Sequence, residues 1–265
     1  MNPKKNKISA KESLFVKNLK LVKANPNKFG LIMLFDALFL VSFFYIMPTL
    51  TGYFAQSLVL PQNYLAFSIL IIFQLIYYLA ALLIYSFFKY NVLEVMKSLF
   101  EKTSISFDRF WKFYLLNVVI AGIFFAVILA LSFVLAGINQ QYTPFVFIFM
   151  AAPYLLFLYA TVNISHSFFY QNSSIKDSLK KGFGIAFTKI KIYKETILII
   201  VLASLALWLL FFGSGYLIML LGSKNYMLYL KTYAYFSKIS VIVFDLFFYL
   251  IILINRISFY SITKD

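Results

Sequence analysis

The side chains that most often carry acid–base, thiolate or metal chemistry are few in this 265-residue chain: one histidine, nine carboxylates and no cysteine. His166 follows Asn163 by three residues, so in a helix the two share a face. Asp36 and Asp245 lie inside long apolar runs, where an ionisable group is costly and is a functional candidate by default. Two chemistries are open to such groups. One is structural hydrogen bonding, to tyrosine or serine, across helices or to a lipid headgroup; the other is proton or cation handling in a wet cavity. Asp36, Asp245, His166 and Asn163 therefore make the candidate intramembrane polar site. The lone amides Gln74 and Asn117 read as interhelical bonds.

Much else is excluded. A single histidine does not build a multi-histidine metal centre or leave room for a catalytic triad elsewhere, and the absence of cysteine removes thiolate ligands, thiolate nucleophiles and disulfides. The nine acids are scattered, so no acidic cluster points to an enzyme acting on lipid. No catalytic residue, metal or cofactor is expected.

The elements that must position these residues are membrane helices. The chain is 63% hydrophobic, 21% aromatic and only 12% charged, far from a soluble average. A bilayer core takes about 20 apolar residues in helix. Six such runs are present, near 30–50, 64–88, 113–136, 144–169, 196–221 and 239–257, which predicts an all-α polytopic membrane protein. Some 30 residues with a pattern of their own precede the first run, and it ends at Met47, Pro48 and Thr49 without a small-x-small site. It reads as a retained helix rather than a signal peptide.

Charge orients the predicted bundle. Of the 24 basic residues, eight precede the first run, five lie between the second and third, six between the fourth and fifth, and two at the C-terminal end. The opposite loops hold only Lys224, Lys231 and Lys238. By the positive-inside rule this is a cell-membrane protein with both termini cytoplasmic. The net charge of +15 reads as attraction to anionic lipid headgroups, since no nucleic-acid recognition element accompanies it.

The inside segments carry patterns of their own. Val92, Leu93, Met96, Leu99 and Phe100 make one apolar stripe among Glu94, Lys97, Glu101 and Lys102. Ile175, Leu179, Gly182, Phe183 and Ala186 repeat it against Lys176, Asp177, Lys180 and Lys181, while Phe15, Leu19 and Val22 do so before a break at Asn25 and Pro26. Each hairpin is thus expected to follow a basic amphipathic interfacial helix, with Lys97, Lys102, Lys176, Lys180 and Lys181 as anionic-lipid contacts. An 80-residue offset pairs Phe88 with Phe168, Tyr90 with Tyr170 and Ser98 with Ser178. One membrane domain, 1–265, is therefore read as three tandem units, 1–88, 89–169 and 170–265. Tyr226, Tyr229, Tyr233 and Tyr235, interleaved with lysines, predict a short helix in the outer interface or an aromatic belt. Gly213, Ser214 and Gly215 mark a place of close packing or a kink in the fifth helix.

The run SSIKDSLKKGFGIAF from Ser173 to Phe187, leading into a long apolar helix, resembles the membrane-domain module fused to some glycerophosphodiester phosphodiesterases, and stand-alone, mostly uncharacterised prokaryotic membrane proteins of related build. The earlier EVMKSLFEKTSISFDRFWKFY is similar to it as well. In those enzymes the chemistry belongs to a separate barrel domain, so the resemblance implies a membrane fold and transfers no catalytic residue. The excess of lysine over arginine is the bias of AT-rich genomes and points to a prokaryote. Two functions fit: a noncatalytic protein that organises or assists a membrane partner, or a small transporter or lipid-handling permease with a polar site between repeats. Convergence of Asp36, Asp245 and His166 on one cavity would favour the second.

Overall fold

The structure is a computed structural model that describes residues 13–57, 64–101, 106–139, 141–222 and 226–264. Among these the ordered elements are eight helices: α1 (Leu14–Ala24), α2 (Pro26–Ser57), α3 (Tyr64–Phe100), α4 (Phe110–Ala136), α5 (Thr143–Tyr170), α6 (Ile175–Thr188), α7 (Ile190–Gly222) and α8 (Tyr226–Lys264). Six of them, α2, α3, α4, α5, α7 and α8, are long and apolar enough to cross a membrane. The protein is thus an all-α polytopic membrane protein, and its exposed leucines, isoleucines and phenylalanines are the surface such a chain offers to lipid.

Local chemistry sets where helices stop. Asn25 and Pro26 break α1 from α2, with proline at the first helical position, where its missing N–H costs nothing. Asn172, at φ 67°, turns the chain between α5 and α6, and Ser174 Oγ then accepts the backbone N–H of Asp177 at 3.1 Å to start α6.

Two expected elements are not separate. The periodicity from Val92 to Phe100 predicts an interfacial helix, but the 37-residue α3 runs unbroken to its end at Phe100. No proline or glycine stands between Phe88 and Phe100, and Asn91 and Ser98 turn their side chains back onto the Phe87 and Val95 carbonyls, so nothing stops the helix, whereas the equivalent place 80 residues on reads Gln-Asn-Ser-Ser and does stop it. Likewise Tyr226, Tyr229, Tyr233 and Tyr235 form the opening turns of the 39-residue α8, not a helix of their own. At 1.5 Å per residue these helices are about 55–60 Å long, well beyond a hydrocarbon core of ~30 Å. The helix α7 is continuous through Gly213, Ser214 and Gly215.

The chain divides into two compact units. The first holds α1, α7 and α8, so the N-terminal helix packs with the hairpin farthest from it in sequence. Glu195 of α7 accepts the Ser13 hydroxyl and the Phe15 backbone N–H at the start of α1, and buried Asn18 donates to Ser258 Oγ at 2.9 Å. Phe211 meets Phe244 at 6.4 Å between α7 and α8.

The second unit holds α2 to α6. Helix α2 lies along α3, with Phe39 6.0 Å from Tyr85 and 6.2 Å from Phe88, and with Lys28 Nζ donating to the Ser98 carbonyl. In helical register with Lys28 and Phe39 stand Ile32, Asp36, Phe43 and Met47, a run at three- and four-residue spacing of which none is exposed. Helices α3, α4 and α5 close around Phe113, which is fully buried against Tyr90, His166, Phe169 and Tyr170.

Candidate functional site

The polar side chains of the second unit gather at the end where α3 and α5 finish and α4 begins. His166 is fully buried on α5. Its Nε2 lies 2.7 Å from Asn117 Oδ1 on α4, and Asn117 Nδ2 donates to Ser86 Oγ on α3 at 2.9 Å. Because the Asn117 amide nitrogen is turned to Ser86, His166 Nε2 is the donor in the first bond. One chain of bonds thus links three helices.

A second runs beside it. Lys89 of α3 is buried, and its Nζ reaches Asn163 Oδ1 on α5 at 3.5 Å, the long limit of a hydrogen bond. The other end of that amide donates to the Tyr159 carbonyl at 2.8 Å, and Ser167 Oγ donates to the Asn163 carbonyl at 2.7 Å. Ser86 and Lys89 therefore repeat on α3 the three-residue polar spacing of Asn163 and His166 on α5.

Arg109, in the turn before α4, clamps the α5–α6 turn. Nη1 donates to the Phe169 carbonyl at 3.0 Å and to Asn172 Oδ1 at 2.9 Å, Nη2 donates to the Ser173 carbonyl at 2.8 Å, and the guanidinium stands 4.2 Å over the Phe169 ring. A rigid fork of donors suits this cluster of carbonyls at a helix end. Next to it, Tyr170 OH donates to the Tyr90 carbonyl at 2.9 Å and the two rings lie 5.3 Å apart. The two tyrosines are the pair that the 80-residue offset makes equivalent.

Helix α6 lies against α5. Ser178, Gly182 and Ala186 are buried, while Lys176, Asp177, Lys180 and Lys181 are exposed. The buried line is centred on Ser178 and Gly182, with the larger Ile175, Leu179 and Phe183 flanking it half-buried. Small residues let the two backbones approach closely. Lys181 Nζ rests 5.1 Å over the Phe168 ring.

Of the expected polar site, His166 and Asn163 come together, joined by Asn117, Ser86 and Lys89. Asp36 is half-buried on the face of α2 toward α3, and Asp245 is exposed on α8 of the other unit. Asn117 makes the expected interhelical bonds, whereas Gln74 is exposed on α3. Among the expected lipid contacts, Lys176, Lys180 and Lys181 are exposed, Lys97 is half-buried in the last turn of α3, and Lys102 lies outside the described residues. In the sequence Lys89 and Arg109 read only as loop charge. The signal that could have found Lys89 is Ser86, one turn earlier on the same face. In the first unit, Asn255 is fully buried on α8, with neither amide atom hydrogen-bonded among the described residues.

Among the described residues no three of the histidine, aspartate and glutamate side chains come together as metal ligands would. The arrangement of His166, Asn117, Ser86, Lys89 and Asn163 crosslinks helices with bonds that are strong in an apolar surround. Compared with known proteins, the chain matches no family model, no curated protein and no solved structure.

Proposed function

We propose that this is a noncatalytic multi-pass protein of the cell membrane, with both termini cytoplasmic, that holds anionic headgroups through basic amphipathic helices and organises or assists a membrane partner. The observation that carries the reading is the division of α6: Lys176, Lys180 and Lys181 stand exposed while Ser178, Gly182 and Ala186 are buried. At ~1 kcal/mol per basic contact with an anionic leaflet, three lysines supply about 3 kcal/mol of attraction. The bias of basic residues toward alternate loops supports the orientation. The interhelical bonds of His166 and Asn163 support a structural use of those groups over a substrate path, and the resemblance to a membrane module whose chemistry lies elsewhere supports a noncatalytic role. The Tyr90–Tyr170 contact supports the 80-residue repeat within it.

The test is purification from native membranes in mild detergent, with mass spectrometry of every protein and lipid that stays bound, for the natural chain and for K176Q/K180Q/K181Q. A stoichiometric protein partner, with anionic lipid that the triple variant sheds, is expected. A tightly held lipid or small molecule, no protein partner and no effect of the triple variant would overturn the reading in favour of a permease.

A further inference from the structure

The contacts between α2 and α3 set a register that brackets one acid and one base. Lys28 meets Ser98 and Phe39 meets both Tyr85 and Phe88, so the helices run antiparallel, and moving down one moves up the other. Asp36 lies three residues before Phe39, and Lys89 lies four after Tyr85 and one after Phe88. At 1.5 Å per residue, these steps of about 4.5 and 6 Å lead from the Phe39–Tyr85 contact toward the same end of the pair. Lys89 also shares the face of α3 that carries Tyr85, being one turn away, and Asp36 belongs to the stripe of α2 that faces α3. Both side chains are withdrawn from the surface: Lys89 is buried and Asp36 half-buried. A buried ammonium in a membrane helix is costly without a counter-charge, and the amide oxygen 3.5 Å away carries none.

We infer that Asp36 and Lys89 form an intramembrane ion pair, and that Lys89 is the shared cation tying α2 to α5 through Asn163. The pair makes α2 part of the polar layer that the His166–Asn117–Ser86 chain builds across α3, α4 and α5. It also gives Asp36, isolated when the sequence is read alone, a partner at its own depth. The inference is independent of the lipid-contact reading, because neither residue faces a headgroup in it.

The test uses the full chain in lipid nanodiscs. Infrared difference spectra between the natural protein and D36N report whether the Asp36 carboxyl is ionised. At neutral pH the difference should show carboxylate bands without an acid C=O stretch, and in a K89M background an acid stretch that D36N abolishes should appear. As a second readout, the exchanged D36K/K89D should recover most of the thermal stability lost by D36K and by K89D separately. An acid stretch from Asp36 in the natural protein, ionisation unchanged by K89M, or an exchanged variant no better than the single ones would each overturn the pair.

Discussion

Replacing Gly182 by alanine should loosen α6 from α5, and the size of the effect follows from where the new methyl would fall. A Cβ at this position stands 1.9 Å from Ser165 Oγ, 3.0 Å from Ser165 Cβ and 3.2 Å from Ser165 Cα. Rotating the serine hydroxyl clears the first clash. The other two stay, since neither atom moves with that rotation, so α6 itself has to back away. Overpacking of this kind costs about 1–3 kcal/mol, against a gain of about 1 kcal/mol from replacing a helical glycine by alanine. Gly184 separates the two effects, because it is exposed two residues further on and a Cβ there meets nothing within 4 Å. G184A collects the propensity gain alone. The difference between the two variants is then the steric term, ~2 kcal/mol, or about 4–8 °C in Tm at ~2–4 °C per kcal/mol. Thermal unfolding in detergent, followed by tryptophan fluorescence, measures it, and S165G should restore most of the loss in the G182A background. A G182A protein that unfolds at or above the temperature of G184A would refute the close approach of the two helices.

Other outcomes follow from the same structure. Arg109→Ala removes three hydrogen bonds at the α5–α6 turn and should cost about 2 kcal/mol, with faster proteolysis at 171–174; Arg109→Lys should recover little, since an ammonium lacks the planar fork. Asn117→Ala takes the partner from both His166 and Ser86 and should destabilise by about 1–3 kcal/mol, more than Ser86→Ala, with the double variant no worse than Asn117→Ala by more than a few tenths, as unfolding curves will show. In this cysteine-free chain, N139C should react with an impermeant thiol reagent in intact cells and K189C should not; labelling of K189C alone would reverse the proposed orientation.

The six spans were legible because about 20 apolar residues in a row leave a helix few alternatives to lipid. Their ends were less so, and α3 shows why. Lys89 read as the edge of the membrane, since a charge inside a hydrophobic run normally marks water. In the fold it is buried among neighbouring helices, and the pattern that follows, Val92 to Met96, is covered on all sides. Periodicity shows that one face is apolar and does not say whether a bilayer or another helix covers it. The same ambiguity shifted the buried line of α6 onto Ser178, which stands outside the apolar stripe of the sequence, because close approach selects for size before hydrophobicity. Asn25–Pro26 and the Gln-Asn-Ser-Ser turn were different, for there the backbone itself carries the signal. Arg109 stayed hidden because two of its three hydrogen-bond acceptors are main-chain carbonyls some 60 residues away, which no side-chain pattern records.

The separation in sequence between Lys89 and Asn163 has a consequence for biogenesis. Seventy-four residues part them, and a ribosome adding roughly 5–20 residues per second needs about 4–15 s to cross that interval. During it the first hairpin has already been delivered, while the amide that will receive its lysine is still being decoded. Asp36, on the same hairpin, is in place to carry the counter-charge through that interval, so the ion pair precedes the amide contact to α5. The late arrival of α5 then sets when the lysine's second contact closes, so α2 and α3 can join before the polar layer around them is complete.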